Sequence, residues 1–219
     1  MPIAGRFFQH AKNACQSIPS SPSMRIGMQM EALTAIVFAA TALEAFINEV
    51  ADFAAQPLSP EPAEPSCIAF AGLMEELEKS RASIVSKFWL GKWVLTAAPY
   101  DKGVPPYQDF ALLIELRNTL VHSRSLDKLD YCDDEVGFVR TVETEAPAVI
   151  TKLASKHILA ELPGPSAVAW TTLVTTKATA RWACNAASAM ALSFLEMFPK
   201  SRYGDLMRRF YGNDFADVE

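Results

Sequence analysis

Residues 28–55, MQMEALTAIVFAATALEAFINEVADFAA, contain neither glycine nor proline and are rich in alanine, leucine, methionine and glutamate. An uninterrupted run of strong helix formers of this length predicts one long helix. It stops at QPLSPEPAEPS, residues 56–66, where Pro57, Pro60, Pro62 and Pro65 forbid helix and mark a surface connection. Apolar side chains lie nearly all round this helix: Phe38, Phe46, Val50 and Phe53 stand opposite a stripe of Leu33, Val37, Ala40, Ile47 and Ala51. A helix of that kind is buried on both sides, either within a bundle or against a partner.

The rest of the chain continues the helical pattern. A second run covers residues 71–97, with Leu73, Leu77, Ile84 and Phe88 on one stripe and Trp89 and Trp93 beside it; the two indoles could stack bases, but on a helix rich in Leu and Phe they are expected in the core. The turn APYDKGVPP follows, and Pro106 suits the first turn of a third helix through YQDFALLIELRNTLVH, residues 107–122. Residues 123–148 carry seven acidic side chains against three basic ones and little periodicity, which reads as a solvated acidic loop insertion. A short helix over 149–160 ends at ELPGPS. Ser166 can then cap a long small-residue-rich helix that Pro199 closes after Phe198. The tail YGDLMRRFYG is a short amphipathic piece; Arg202, Arg208 and Arg209 with Tyr203, Phe210 and Tyr211 could contact RNA, but a terminal helix packing Leu206 and Phe210 is the expectation. With no repeat and no alternating strand pattern, the expectation is a single all-α domain over residues 1–219, an up-and-down helical bundle.

At 219 residues, half of them hydrophobic, the chain can fill one sizeable core. Its net charge of −5 argues against nucleic-acid binding by bulk attraction, so any such role needs a local site. Cys15, Cys67, Cys132 and Cys184 lie far apart, read as reduced core thiols, and offer no clustered metal ligands. No cofactor is implied. The first residues lack the apolar run of a signal peptide, and the uncharged stretches 33–43 and 182–195 are short for a bilayer. The expectation is a soluble cytoplasmic protein without membrane attachment.

Two charges interrupt apolar stripes. On a helical wheel Phe110, Leu113, Ile114, Leu120 and Val121 fall within about 60° of Arg117, which places the arginine on the apolar face. Glu44 sits likewise on the first helix, with Asn48 one turn on. Facing each other across the bundle, Glu44 and Arg117 would form a buried pair, since an unpartnered charge there is costly. Glu115, Asn118 and His122 share the polar side of the third helix. Arginine, asparagine and histidine therefore crowd its last turn and a half.

RNTLVH, residues 117–122, resembles the signature of the HEPN superfamily: an arginine, usually followed by a polar residue such as asparagine, then a histidine after four to six intervening residues. From this chain's ten Arg, five Asn and three His, a chance R-N-x-x-x-H match is expected only about 0.003 times. TALEAFINEV, the Lys-Trp pair of GKWVL, and PYQDFALLIELRN leading into the motif add to the likeness, which covers about residues 28–122. The resemblance implies a helical bundle that dimerises to bring two motifs into one cleft. Many members are metal-independent ribonucleases acting as toxins or in anti-phage defence; others are non-catalytic dimerisation, nucleotide-binding or partner-binding modules. It implies Arg117, Asn118 and His122 as the active-site set and RNA as substrate. A toxin would also need an antitoxin or regulator protein. Glu44 and Asn48 join as supporting residues on the wheel argument alone. The chemistry suits these residue types: histidine, with an ordinary pKa of about 6.5, moves protons at neutral pH, and a guanidinium binds developing phosphorane charge.

Overall fold

The computed structural model describes residues 2–19, 29–54, 56, 64–122, 128–134, 137–143, 147–159 and 170–216, with only the backbone course given for 128–134 and 137–143. Its helices are α1 (Ile3–Ser17), α2 (Met30–Ala54), α3 (Pro65–Lys79), α4 (Ile84–Thr96), α5 (Tyr107–Val121), α6 (Ala148–Ser155), α7 (Trp170–Val174), α8 (Lys177–Leu195) and α9 (Arg202–Tyr211). They form an all-α bundle.

The uninterrupted run becomes α2, the central helix, against which α1, α8, α3 and α5 pack. Residues 28 and 55, at the edges of the expected helix, lie outside the described residues. Ala32, Ala35, Ala39 and Ala42 are fully buried and let neighbouring helices come close, while Ile36, Leu43, Phe46, Ile47 and Val50 fill the space between them. The second apolar face is covered inside the same chain: Phe7 of α1 packs on Phe38, and Tyr203 and Phe210 of α9 pack on Phe53. By length and composition α2 could also cross a membrane, because an average along the helix tolerates charges that break up the uncharged runs; half of that window is buried in the bundle.

Helix α1 has only Pro2 at its N-cap, so it has no side-chain cap of its own. Glu49 of α2 supplies one, its Oε1 accepting from the backbone N–H groups of Ile3 (2.7 Å) and Ala4 (3.2 Å). A carboxylate there meets both the orphan donors and the positive end of the helix dipole. Its Oε2 accepts from the Tyr211 hydroxyl of α9 at 3.3 Å.

Two expected helices are each split by a hydroxyl cap. The run over 71–97 breaks at Ser80–Ser83, where Arg81 takes a left-handed conformation (φ 55°) and Ser83 Oγ accepts from the Ser86 N–H to start α4. The earlier half, α3, begins sooner than expected, with Pro65 in its first turn. The run over 166–198 breaks at Thr175–Thr176, and Thr176 Oγ1 accepts from the Thr179 N–H to start α8. Ser166, the expected cap, lies outside the described residues. Pro106 stands at the N-cap of α5 and not inside its first turn, and α6 ends at Ser155, short of residue 160.

Residues 123–148 are not purely loop. Lys128–Asp134 (β1) and Gly137–Glu143 (β2) pair as an antiparallel hairpin in which Lys128 stands opposite Glu143 and Leu129 opposite Val142. The acids at 130, 133 and 134 hide the alternation of this segment from a hydrophobicity count. In the tail, α9 buries Tyr203, Met207 and Tyr211 and leaves Phe210 about half exposed, a stripe one position away from the expected Leu206–Phe210.

The core is ordered around Phe46, whose ring lies 5.3 Å from those of Tyr211 and Phe215 and 6.2 Å from those of Phe88 and Phe194. Phe88 in turn meets Phe110 of α5 at 4.8 Å. Gly91 lets α4 approach this cluster, since a Cβ there would stand 3.0 Å from Phe70 and 3.1 Å from Phe194. Alanine for glycine inside a helix ordinarily gains up to about 1 kcal/mol. Here Gly91→Ala is expected to destabilise by about 1–3 kcal/mol instead, because it overpacks two ring contacts. Urea unfolding measures the sign, and a neutral or stabilised variant would show that the rings yield.

Candidate functional site

Helix α5 enters the bundle deeply and leaves it shallowly. Tyr107, Phe110, Leu113 and Leu116 are buried, Leu120 is half-buried, and Val121 and His122 are exposed. Arg117 lies on the azimuth of the buried side chains but in the turn where the helix emerges. Its side chain is 28% exposed, and that of Glu44 is 50% exposed. The expected pair does form, with Arg117 Nη2 3.5 Å from Glu44 Oε2, but at the rim of the bundle and in contact with solvent. A helical wheel reports direction round the axis and carries no information on depth along it.

Arg117 Nη1 also donates to Asn118 Oδ1 at 3.0 Å, so one guanidinium is held between an amide on its own helix and a carboxylate on α2. His122 is the C-cap of α5, its backbone N–H donating to the Asn118 carbonyl at 2.9 Å, and it is exposed. Glu115, on the same polar side, is taken up elsewhere: both its oxygens accept from Lys152 of α6, at 2.7 and 2.8 Å. A second lysine, Lys156, pairs with Asp109 at 2.7 Å and donates to Gln108 Oε1 at 2.6 Å, so α6 is fastened along the flank of α5. Arg117, Asn118 and His122 are thus collected at one open helix end, with Glu44 behind the arginine.

Asn48 has a different job. Its Oδ1 accepts from Lys87 Nζ at 2.8 Å, and the same ammonium is paired with the Glu78 carboxylate. Lys87 is only 4% exposed, so Asn48 and Glu78 compensate a buried charge between α2, α3 and α4. Asn48 and Glu78 also line a cleft of about 620 Å³ between α2 and α3, with Asp52, Ile68 and Met74. Ile84, Leu90, Gly91 and Val94 lie within about 60° of Lys87 on a helical wheel, so the interruption of an apolar stripe that singled out Arg117 marks Lys87 too.

Three further features escaped sequence reasoning or ran against it. Trp93 is 49% exposed and not part of the core, while Trp89 is half-buried against it. Cys15 of α1 and Cys184 of α8, both buried, are hydrogen-bonded to each other, 169 positions apart with no spacing signal. That bond, aided by Lys177 and Arg181, holds the Cys15 thiol down at about 7, while the same contact and burial push Cys184 up. Tyr100, in the turn before α5, is pushed up to about 12 by burial. Among the described residues no three His, Cys, Asp or Glu side chains converge in a way that could hold a metal ion.

No family model, no curated protein and no solved structure matches the chain. The residues themselves carry the functional argument.

Exposure decides the energetics of the two polar clusters. The Glu44–Arg117 pair is solvated, so Glu44→Ala is expected to cost less than about 1 kcal/mol, against the 3–5 kcal/mol of a buried pair. Asn48→Ala removes a partner from a buried ammonium and is expected to cost about 1–3 kcal/mol. Chemical denaturation of the two variants side by side measures the order, and Glu44→Ala proving the more costly would contradict it.

Proposed function

We propose that the chain is a metal-independent endoribonuclease of HEPN type, a toxin or defence effector that cleaves RNA at a site composed from two copies of the end of α5. The observation that carries this reading is the collection of Arg117, Asn118 and His122 at a solvent-open helix end, with the guanidinium oriented by Glu44 and Asn118. A guanidinium held from two sides is preorganised for a phosphate, and the exposed rim leaves room for one.

The spacing also supports the two-copy site. Five residues along a helix separate Arg117 and His122 by about 7.5 Å of rise and about 140° of rotation. One copy therefore offers its arginine and histidine to different sides of α5, and a second copy related by a two-fold axis completes the set around one phosphate. In the reaction the 2′-hydroxyl loses its proton to one His122 ring as its oxygen attacks phosphorus. The 5′-oxygen leaves and takes a proton from the other ring, giving a 2′,3′-cyclic phosphate end. Arg117 neutralises the charge that builds on the non-bridging oxygens, and Asn118 fixes the guanidinium plane. A toxin of this kind needs a neutralising antitoxin or regulator protein.

The self-satisfied arrangement of Arg117 with Glu44 and Asn118 favours a second reading, a non-catalytic dimerisation or nucleotide-binding module. The dimer expectation itself now rests on the resemblance and on the spacing argument, because the second apolar face of α2 is covered by α1 and α9.

The purified protein is expected to cleave single-stranded or loop RNA in EDTA, leaving 2′,3′-cyclic phosphate ends. His122→Ala and Arg117→Ala should each abolish cleavage, with thermal midpoints within a few degrees of the parent because both side chains reach solvent. Gel analysis of end-labelled RNA reads the outcome. Full activity in His122→Ala, or activity lost on chelation, would refute the mechanism, and a dimer that cuts no RNA would favour the module.

A further inference from the structure

We propose that the outer end of α4 and the turn behind it form a stacking platform for single-stranded RNA, with Trp93 as the base-stacking residue and Lys92 and Lys102 as its phosphate contacts. The choice of RNA as ligand rests on the ribonuclease reading. The platform itself rests on a separate group of residues.

Phe46, Phe70, Phe88, Phe110 and Phe194 are fully buried, whereas Trp93 of α4 and Phe210 of α9 each stand about half in solvent. Trp93 leaves 49% of its surface in solvent, and Val104, in the following turn, does the same. An indole left half open to water marks a contact surface. The surroundings say what kind. Trp89 braces Trp93 from within, ring centroids 5.7 Å apart at 63°. Lys102 Nζ lies 4.9 Å from the Trp89 ring, and Lys92 Nζ lies 4.3 Å from the ring of Tyr100, which is itself stacked on Tyr107. Two ammonium groups are therefore held by cation–π contacts, Lys102 on the ring that braces the open indole and Lys92 from the position before it in the chain. The carboxylate of the corner, Asp101, is turned back to accept from the Gly103 N–H at 2.8 Å. In a chain of net charge −5, the charged residues between 91 and 104 are two lysines, Lys92 and Lys102, and one carboxylate, Asp101. Open aromatic faces set between cations are what single strands need, since any base can stack and the phosphates are met alongside.

The test uses the full chain carrying His122→Ala, so that RNA is bound without being cut, and reads the anisotropy of a labelled single-stranded RNA. Trp93→Ala in that background is expected to weaken binding by on the order of tenfold, while Trp93→Phe keeps most of the affinity because it can still stack. Lys102→Ala should lower the slope of log affinity against log salt by about one. Unchanged affinity in Trp93→Ala overturns the platform, as does failure of the Trp93-containing protein to bind RNA. Light scattering that turns a dimer into a monomer on Trp93→Ala, with RNA affinity unchanged, would instead make this corner an interface between copies. The two readings can fail separately. Trp93-dependent binding by a protein that cuts no RNA removes the nuclease and keeps the platform. Cleavage insensitive to Trp93→Ala in both binding and kcat/KM removes the platform and keeps the nuclease.

Discussion

A helix as apolar as α2 is oriented by those of its polar side chains that meet a donor on an element covering it. Three of them fall within six residues, and each fixes a different neighbour. Glu44 takes the guanidinium of α5, Asn48 takes the buried ammonium of α4, and Glu49 takes the first amides of α1 and the Tyr211 hydroxyl of α9. Hydrophobic burial supplies the driving force but does not distinguish one rotation of a greasy cylinder from another. These three acceptors do. Turning α2 about its axis would take Asn48 from Lys87 and leave the buried ammonium with Glu78 alone, which costs more than a solvated rim contact could return.

The all-α architecture and the axis of the bundle were legible in the chain, because a glycine- and proline-free run of helix formers leaves few alternatives. What went unread has physical reasons. Apolar periodicity runs straight through Ser80–Ser83 and Thr175–Thr176, and only the capping hydroxyls of Ser83 and Thr176 announce that a new helix begins there. The face of α2 bearing Phe38 and Phe53 can be seen to need a cover, but nothing local says that α1 and α9 provide it. The hairpin at Lys128–Asp134 and Gly137–Glu143 is concealed by its own acidity.

For the candidate site the pattern was right in azimuth and wrong in depth. Arg117 and Glu44 do meet, as their matching interruptions of apolar stripes imply, yet burial fades along α5 between Leu116 and Val121 and the pair ends at the rim. Asn48 shares a helix face with Glu44 but answers to Lys87, a residue whose burial depends on helices far apart in the chain. A solvated Glu44–Arg117 pair adds little to stability. Substitutions there leave the fold intact, so their effects on chemistry can be read without correction for unfolding.

Gly91 has a reach beyond the two rings it touches. Because it carries no side chain, its face of α4 is pressed directly against Phe70 and Phe194, which sets how the helix is rotated. Two residues further on is a turn of about 200°, almost the opposite side of the cylinder. Trp89 and Trp93 both stand on that side, and Trp93, nearer the end of the helix, is the one left half in solvent. The smallest residue of α4, by facing in, sends its two largest to the other side of the helix.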